Sequence, residues 1–204
     1  MRRLLIAAAA AAAATALATS IAPGFASDSM PGMGGSATSS ARSSALTHDI
    51  ARARVALAPY ATDLGKAQQA GWSRQITPMM PNMGFHYMDP SVSDFKLTKP
   101  PILVYIHHGA TAQLVAAEWV FPRRPAKPPI PGARYGSFPA ACHYADGTFV
   151  PQPDQSACAR SSHGSAFVFW HPNLVTLHMW LWYPNPAGLF HSTNPLVAPF
   201  NGEK

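Results

Sequence analysis

Four short runs rich in β-branched and aromatic residues constrain this chain more than any other feature: residues 83–88 (MGFHYM), 102–108 (ILVYIHH), 113–121 (QLVAAEWVF) and 175–183 (VTLHMWLWY). Runs of this length and make-up read as strands. The second and third are separated by Gly109-Ala110-Thr111-Ala112, short enough for an antiparallel hairpin. Residues 166–170 read as a further strand, ended by Pro172. Residues 122–131 carry five prolines and predict an extended surface crossing with no element of its own.

A helix precedes these strands. Ile50, Ala53, Leu57, Tyr60, Leu64 and Ala67 fall at offsets of 0, 3, 7, 10, 14 and 17, one apolar stripe along a helix. Thr47 suits its N-cap and Gly71 its stop, and Pro59, off the stripe, predicts a kink or a restart. Helix first and strands afterwards predicts an α+β fold: an N-terminal amphipathic helix packed on a mainly antiparallel β-sheet.

The ends of the chain bear on location. Arg2 and Arg3, an alanine-rich apolar run from Leu4 to Leu17, and Gly24-Phe25-Ala26 have the layout of a secretory signal peptide over residues 1–26. Residues 27–46, rich in Ser, Gly, Ala and Thr, read as a flexible linker, and residues 47–204 as a single globular domain. The expected location is therefore periplasmic or secreted. No other stretch reaches the roughly twenty apolar residues of a membrane span, so none is expected in the mature form. Without Arg2 and Arg3 the formal charge falls from +6 to about +4, thinly spread, which argues against a nucleic-acid partner. The two cysteines, Cys142 and Cys158, allow one pairing, and an exported chain favours that disulfide over a thiol metal site.

Polar residues inside the apolar runs mark where chemistry would sit. Side chains alternate along a strand, so Gly84, His86 and Met88 share one face, as do Leu114, Ala116, Glu118 and Val120, and His178, Trp180 and Trp182. Glu118 is one of only two glutamates, the other being Glu203, and a carboxylate within an apolar strand needs a partner or a proton. If the three faces coincide, His86, Glu118 and His178 form a two-His, one-carboxylate set that suits Zn or Fe. The competing reading makes each a hydrogen-bonded core residue that only specifies the fold. Met79, Met80 and Met83, with Met30 and Met33, offer thioethers that suit Cu. Trp180 and Trp182 are either core or the wall of a ligand cleft. His107 and His108 point to opposite faces at a hairpin end, and His143, His163, His171 and His191 stand among turn residues. Hydrolase elbows, zinc-protease helices and phosphate loops are absent from the sequence.

The segments MGFHY, LVY, LVAAEWV and LHMWLW, followed by NPAGLF and Asn194-Pro195, occur in an order that resembles a family of secreted bacterial proteins of unknown function. The likeness spans about residues 48–197, with a divergent middle from 125 to 165. It implies export and a shared fold, and it draws attention to His86, Glu118 and His178. After Leu103-Val104-Tyr105, where that family usually carries an acidic residue, this chain has Ile106-His107-His108.

Three functions remain open on the sequence: an exported binding protein with a metal or small-ligand pocket on a sheet face, a metal-dependent enzyme using the same three residues, and a structural or interaction protein.

Overall fold

A computed structural model describes residues 34–203; the signal-peptide segment, Met30 and Met33 lie outside the described residues. The helical stripe forms as two helices. Helix α1 (Gly34–Leu57) gives way to a 3₁₀ turn carrying Pro59, and α2 (Leu64–Gln69) restarts with Asp63 as its cap, its side chain accepting from the Lys66 N–H at 2.8 Å. Gly71 follows the C-terminal end with φ +122°, where a Cβ would run into the Asp89 carboxylate. Thr47 is not the start of α1. Its hydroxyl donates to the Ser43 carbonyl one turn back at 3.0 Å, so it sits inside a helix that reaches into the Ser/Gly-rich stretch.

Ten strands follow: β1 (Arg74–Gln75), β2 (Phe85–Met88), β3 (Ile102–His108), β4 (Thr111–Phe121), β5 (Gly136–Phe138), β6 (Ala141–Tyr144), β7 (Phe149–Pro151), β8 (Ser161–Ser162), β9 (Ser165–His171) and β10 (Leu174–Trp180). A six-stranded sheet runs in the order β1-β2-β3-β4-β10-β5, and a four-stranded sheet in the order β7-β6-β9-β8, with antiparallel pairing throughout. The proline-rich crossing carries no strand or helix, and Ile130 alone within it is fully buried. Cys142 on β6 is bonded to Cys158 beyond β7, tying the smaller sheet to its own loop.

The larger sheet has two different faces. Leu103, Tyr105, Leu114, Ala117, Trp119, Leu177 and Met179 pack against the helical stripe of Ala53, Leu57 and Ala67. The Tyr105 hydroxyl donates to the Tyr60 carbonyl at 2.8 Å and fastens the sheet to the turn between the helices. Ile102, Val104, Ile106, Val115, Ala116 and Trp180 form a second apolar cluster with Ile76 and Val197.

The register breaks once in the β3–β4 hairpin: Val104 faces Ala116, yet Tyr105 faces Leu114. Val115 is the extra residue of a β-bulge, which turns Leu114 to the helix side. Strict alternation had placed Leu114 beside Ala116 and Glu118, and the bulge corrects that assignment.

Gly84 sits where β2 crosses β3 closely. Its φ is +129°, and a Cβ would meet the Tyr105 carbonyl oxygen and lie 3.0 Å from Val104 Cγ1. Gly84→Ala is expected to cost about 2 kcal/mol or more, read as a lowered urea midpoint at unchanged slope.

Candidate metal centre

Pairing across the larger sheet brings three polar side chains to one place. His178 on β10 lies directly opposite Glu118 on β4, and Glu118 lies opposite Ile102 on β3. His86 on β2 pairs with Val104, two residues along β3 from Ile102 and on the same face, so it lies diagonally from Glu118. All three are buried, with 4–5% of their surface exposed. His86 Nε2 lies 3.5 Å from Glu118 Oε2, and His178 Nε2 lies 3.5 Å from Glu118 Oε1. The imidazoles stand edge to face, their centroids 5.9 Å apart. Ligand atoms from the three residues all lie within 4.8 Å of one another.

These spacings suit a metal better than direct hydrogen bonds. A good N–H···O bond spans about 2.9 Å. An ion with tetrahedral bonds of about 2.1 Å sets its ligand atoms about 3.4 Å apart. The residues therefore form a buried His/His/Glu cluster compatible with a divalent metal ion. The rest of the cluster points the same way. His86 Nδ1 lies 2.9 Å from the Thr77 hydroxyl, which also accepts from the His86 backbone N–H at 3.2 Å. That partner fixes the ring and leaves Nε2 for the ion, as ligating histidines require. Neither ring nitrogen of buried His178 has a hydrogen-bond partner.

The contacts between Glu118 and the imidazoles are not ion pairs. Burial pushes the Glu118 carboxyl up to about 8. It holds His86 down at about 4 despite a hydrogen bond to the Gly84 backbone, which acts in the raising direction, and His178 at about 3, with His86 adding a smaller repulsion. Without a metal the cluster is neutral at pH 7, and a bound cation would take the place of the carboxyl proton.

The cluster opens on a cavity of about 390 Å³ between the two sheets. Its walls include Thr77, Met80, Met83, Met88 and Thr176 from the larger sheet and its approaches, and His143, Phe169 and His171 from the smaller one. Of the candidate copper ligands, Met80 and Met83 line this cavity, while Met79 packs against the core. Trp180 and Trp182 do not line it. Trp180 is buried in the second apolar cluster with its ring N–H donating to the His191 carbonyl at 2.7 Å. Trp182 lies beyond the end of β10 and packs on the helix side. Once the strand ends, alternation no longer holds.

Comparison with family models, with curated proteins and with solved structures returned no match. The centre is therefore read from its geometry.

Of the remaining histidines, His107 stacks on Phe85 at 4.4 Å and His108 meets Phe200, both away from the cluster. His163 and His191 are exposed. His143 and His171, which the sequence placed among turns, stand on β6 and β9 and reach the cavity. The alternation Phe167-x-Phe169-x-His171 carried a signal for the second of them; β6 is too short to carry one for His143.

The titrations set a stability profile for the chelated chain. Between pH 4.5 and 8 the folded state holds a Glu118 proton that the unfolded chain has lost, so stability falls as pH rises. From pH 6.5 down to about 4 the unfolded chain gains protons that buried His86 and His178 refuse, so stability falls as pH drops. Two histidines outweigh one carboxyl on the acid side, which puts the maximum at about pH 6.5–7. Glu118→Gln is expected to remove the alkaline decline, a difference of about 1–2 kcal/mol growing between pH 6.5 and 8.5, measured by urea unfolding with a chelator present.

Proposed function

We propose that this chain is a metal-dependent enzyme in which His86, Glu118 and His178 hold one divalent first-row ion, with the cavity receiving the substrate. The observation that carries this reading is three buried ligand atoms within 4.8 Å of one another, with each imidazole Nε2 3.5 Å from one of the two Glu118 oxygens, at the wall of a cavity. Structural zinc sites are closed by four protein ligands, whereas catalytic ones keep positions open. Three ligands facing a cavity therefore favour catalysis over storage. They also favour it over a purely structural network, which leaves the buried His178 Nε2 without the partner that an ion would supply.

A two-His, one-carboxylate set suits zinc and also accepts Fe(II). When bound, such an ion polarises an oxygen of substrate or acidifies a coordinated water. His86 is oriented by Thr77, Glu118 supplies the negative charge, and the cavity walls around them are largely apolar. No helix among the described residues is long and apolar enough to cross a membrane. The Cys142–Cys158 bond supports export through the N-terminal segment, because disulfides persist outside the reducing cytoplasm.

Elemental analysis of the purified chain tests the proposal. One zinc or iron per chain is expected, retained on dialysis and lost in His86→Ala, His178→Ala and Glu118→Gln. Sub-stoichiometric metal in the wild type after loading, or equal retention by all three folded variants, overturns it.

A further inference from the structure

The smaller sheet brings a second pair of imidazoles to the cavity. His143 on β6 and His171 on β9 stand with ring centroids 5.0 Å apart, among Phe138, Phe149 and Phe169. Neither belongs to the metal cluster. Their hydrogen bonds define their tautomers. His143 Nδ1 lies 2.8 Å from the Ile76 carbonyl oxygen, and His171 Nδ1 lies 2.7 Å from the Pro172 carbonyl oxygen. A carbonyl oxygen only accepts, so each Nδ1 carries the proton. In a neutral imidazole the other nitrogen is then a bare acceptor.

Both rings are held neutral. Burial lowers His143 to about 4, with a smaller contribution from His171, and burial also lowers His171. His171 Nε2 is buried and has no partner. His143, 1% exposed and stacked on Phe169 at 4.5 Å with rings 3° from parallel, cannot turn its Nε2 elsewhere without leaving the Ile76 carbonyl. Among the described residues, His171 Nε2 is left without a donor, the one hydrogen bond of the His143 ring is through Nδ1, and both residues line the cavity.

We propose that His143 and His171 form a hydrogen-bond-accepting subsite that selects a small, largely apolar molecule carrying a hydroxyl group, a phenol or an alcohol. This names the substrate class of the metal centre and rests on the proposed function to that extent only. The cavity walls decide against charged ligands. They include no Lys or Arg to pair an anion, and Glu118, their only acidic residue, is committed to the metal. A neutral hydroxyl satisfies a bare Nε2 without bringing a charge into the cavity. The aromatic side chains Phe138 and Phe169 would hold the apolar body of the ligand.

The test uses the full chain with its metal removed by chelation, so its result is independent of whether the triad binds an ion. The probes are 2-naphthol and 2-methoxynaphthalene, similar in size and differing in the donor, followed by their fluorescence. Binding of 2-naphthol is expected to be at least about tenfold tighter. His171→Phe, which keeps the ring and removes the acceptor, is expected to bring the two affinities together, and His171→Gln to recover part of the difference. His143→Phe also breaks the Ile76 contact and can fail to fold, so His143 is read by nitrogen NMR of the wild-type rings. Unprotonated Nε2 in both rings, with one of them shifting when 2-naphthol binds, supports the subsite. Equal affinities in the wild type, a preference that survives His171→Phe, or a protonated Nε2 in either ring overturns it.

Discussion

Removing one carboxyl and two imidazoles from water is the constraint on which the rest of this structure depends. Each group is more soluble charged, and burial denies each its charge. Glu118 responds by holding its proton and His86 and His178 by losing theirs, although the three lie close enough to pair. Their separations are too long for good hydrogen bonds, so the cluster gains little from its own contacts. A divalent cation resolves the conflict by making the deprotonated carboxylate and the neutral imidazoles the favoured forms together.

The fold supplies the rigidity this needs. Each of the three residues stands on a different strand of one sheet, where register fixes the height and alternation fixes the side. The helical stripe seals the other face, so the site-bearing face is the one left to enclose a cavity. Gly84 lets β2 approach the Tyr105 carbonyl closely, and Thr77 meets both the ring and the backbone of His86. The smaller sheet, braced by the Cys142–Cys158 bond, closes the space with an aromatic wall that carries two more imidazoles.

Much of this was legible in the sequence, because the long strands are periodic and the chemistry lies on them. Residues 102–108 form β3 over that full span, and Glu118 declared itself as a lone acid in an apolar run. The pairing of Cys142 with Cys158 followed from their number. What escaped has local causes. The bulge at Val115 reverses Leu114, because alternation contains no term for an inserted residue. Trp180 and Trp182 were read as one face, but β10 ends at Trp180. The start at Thr47 gave way to a longer helix because a threonine hydroxyl can bond back along a helix as readily as it caps one. His143 escapes because β6 and its partner β7 are shorter than periodicity can register, whereas His171 ends the seven-residue β9, whose alternation of Phe167, Phe169 and His171 extends one residue past the expected strand end.

X-ray absorption at the metal edge of the full chain, loaded with one equivalent of zinc, tests the central claim most directly. The account predicts a single site with two imidazole nitrogens and carboxylate oxygen at about 2.0–2.2 Å, the remaining position filled by a light atom. A shell of four imidazoles, a sulfur ligand, or zinc surrounded by water oxygens alone would contradict it.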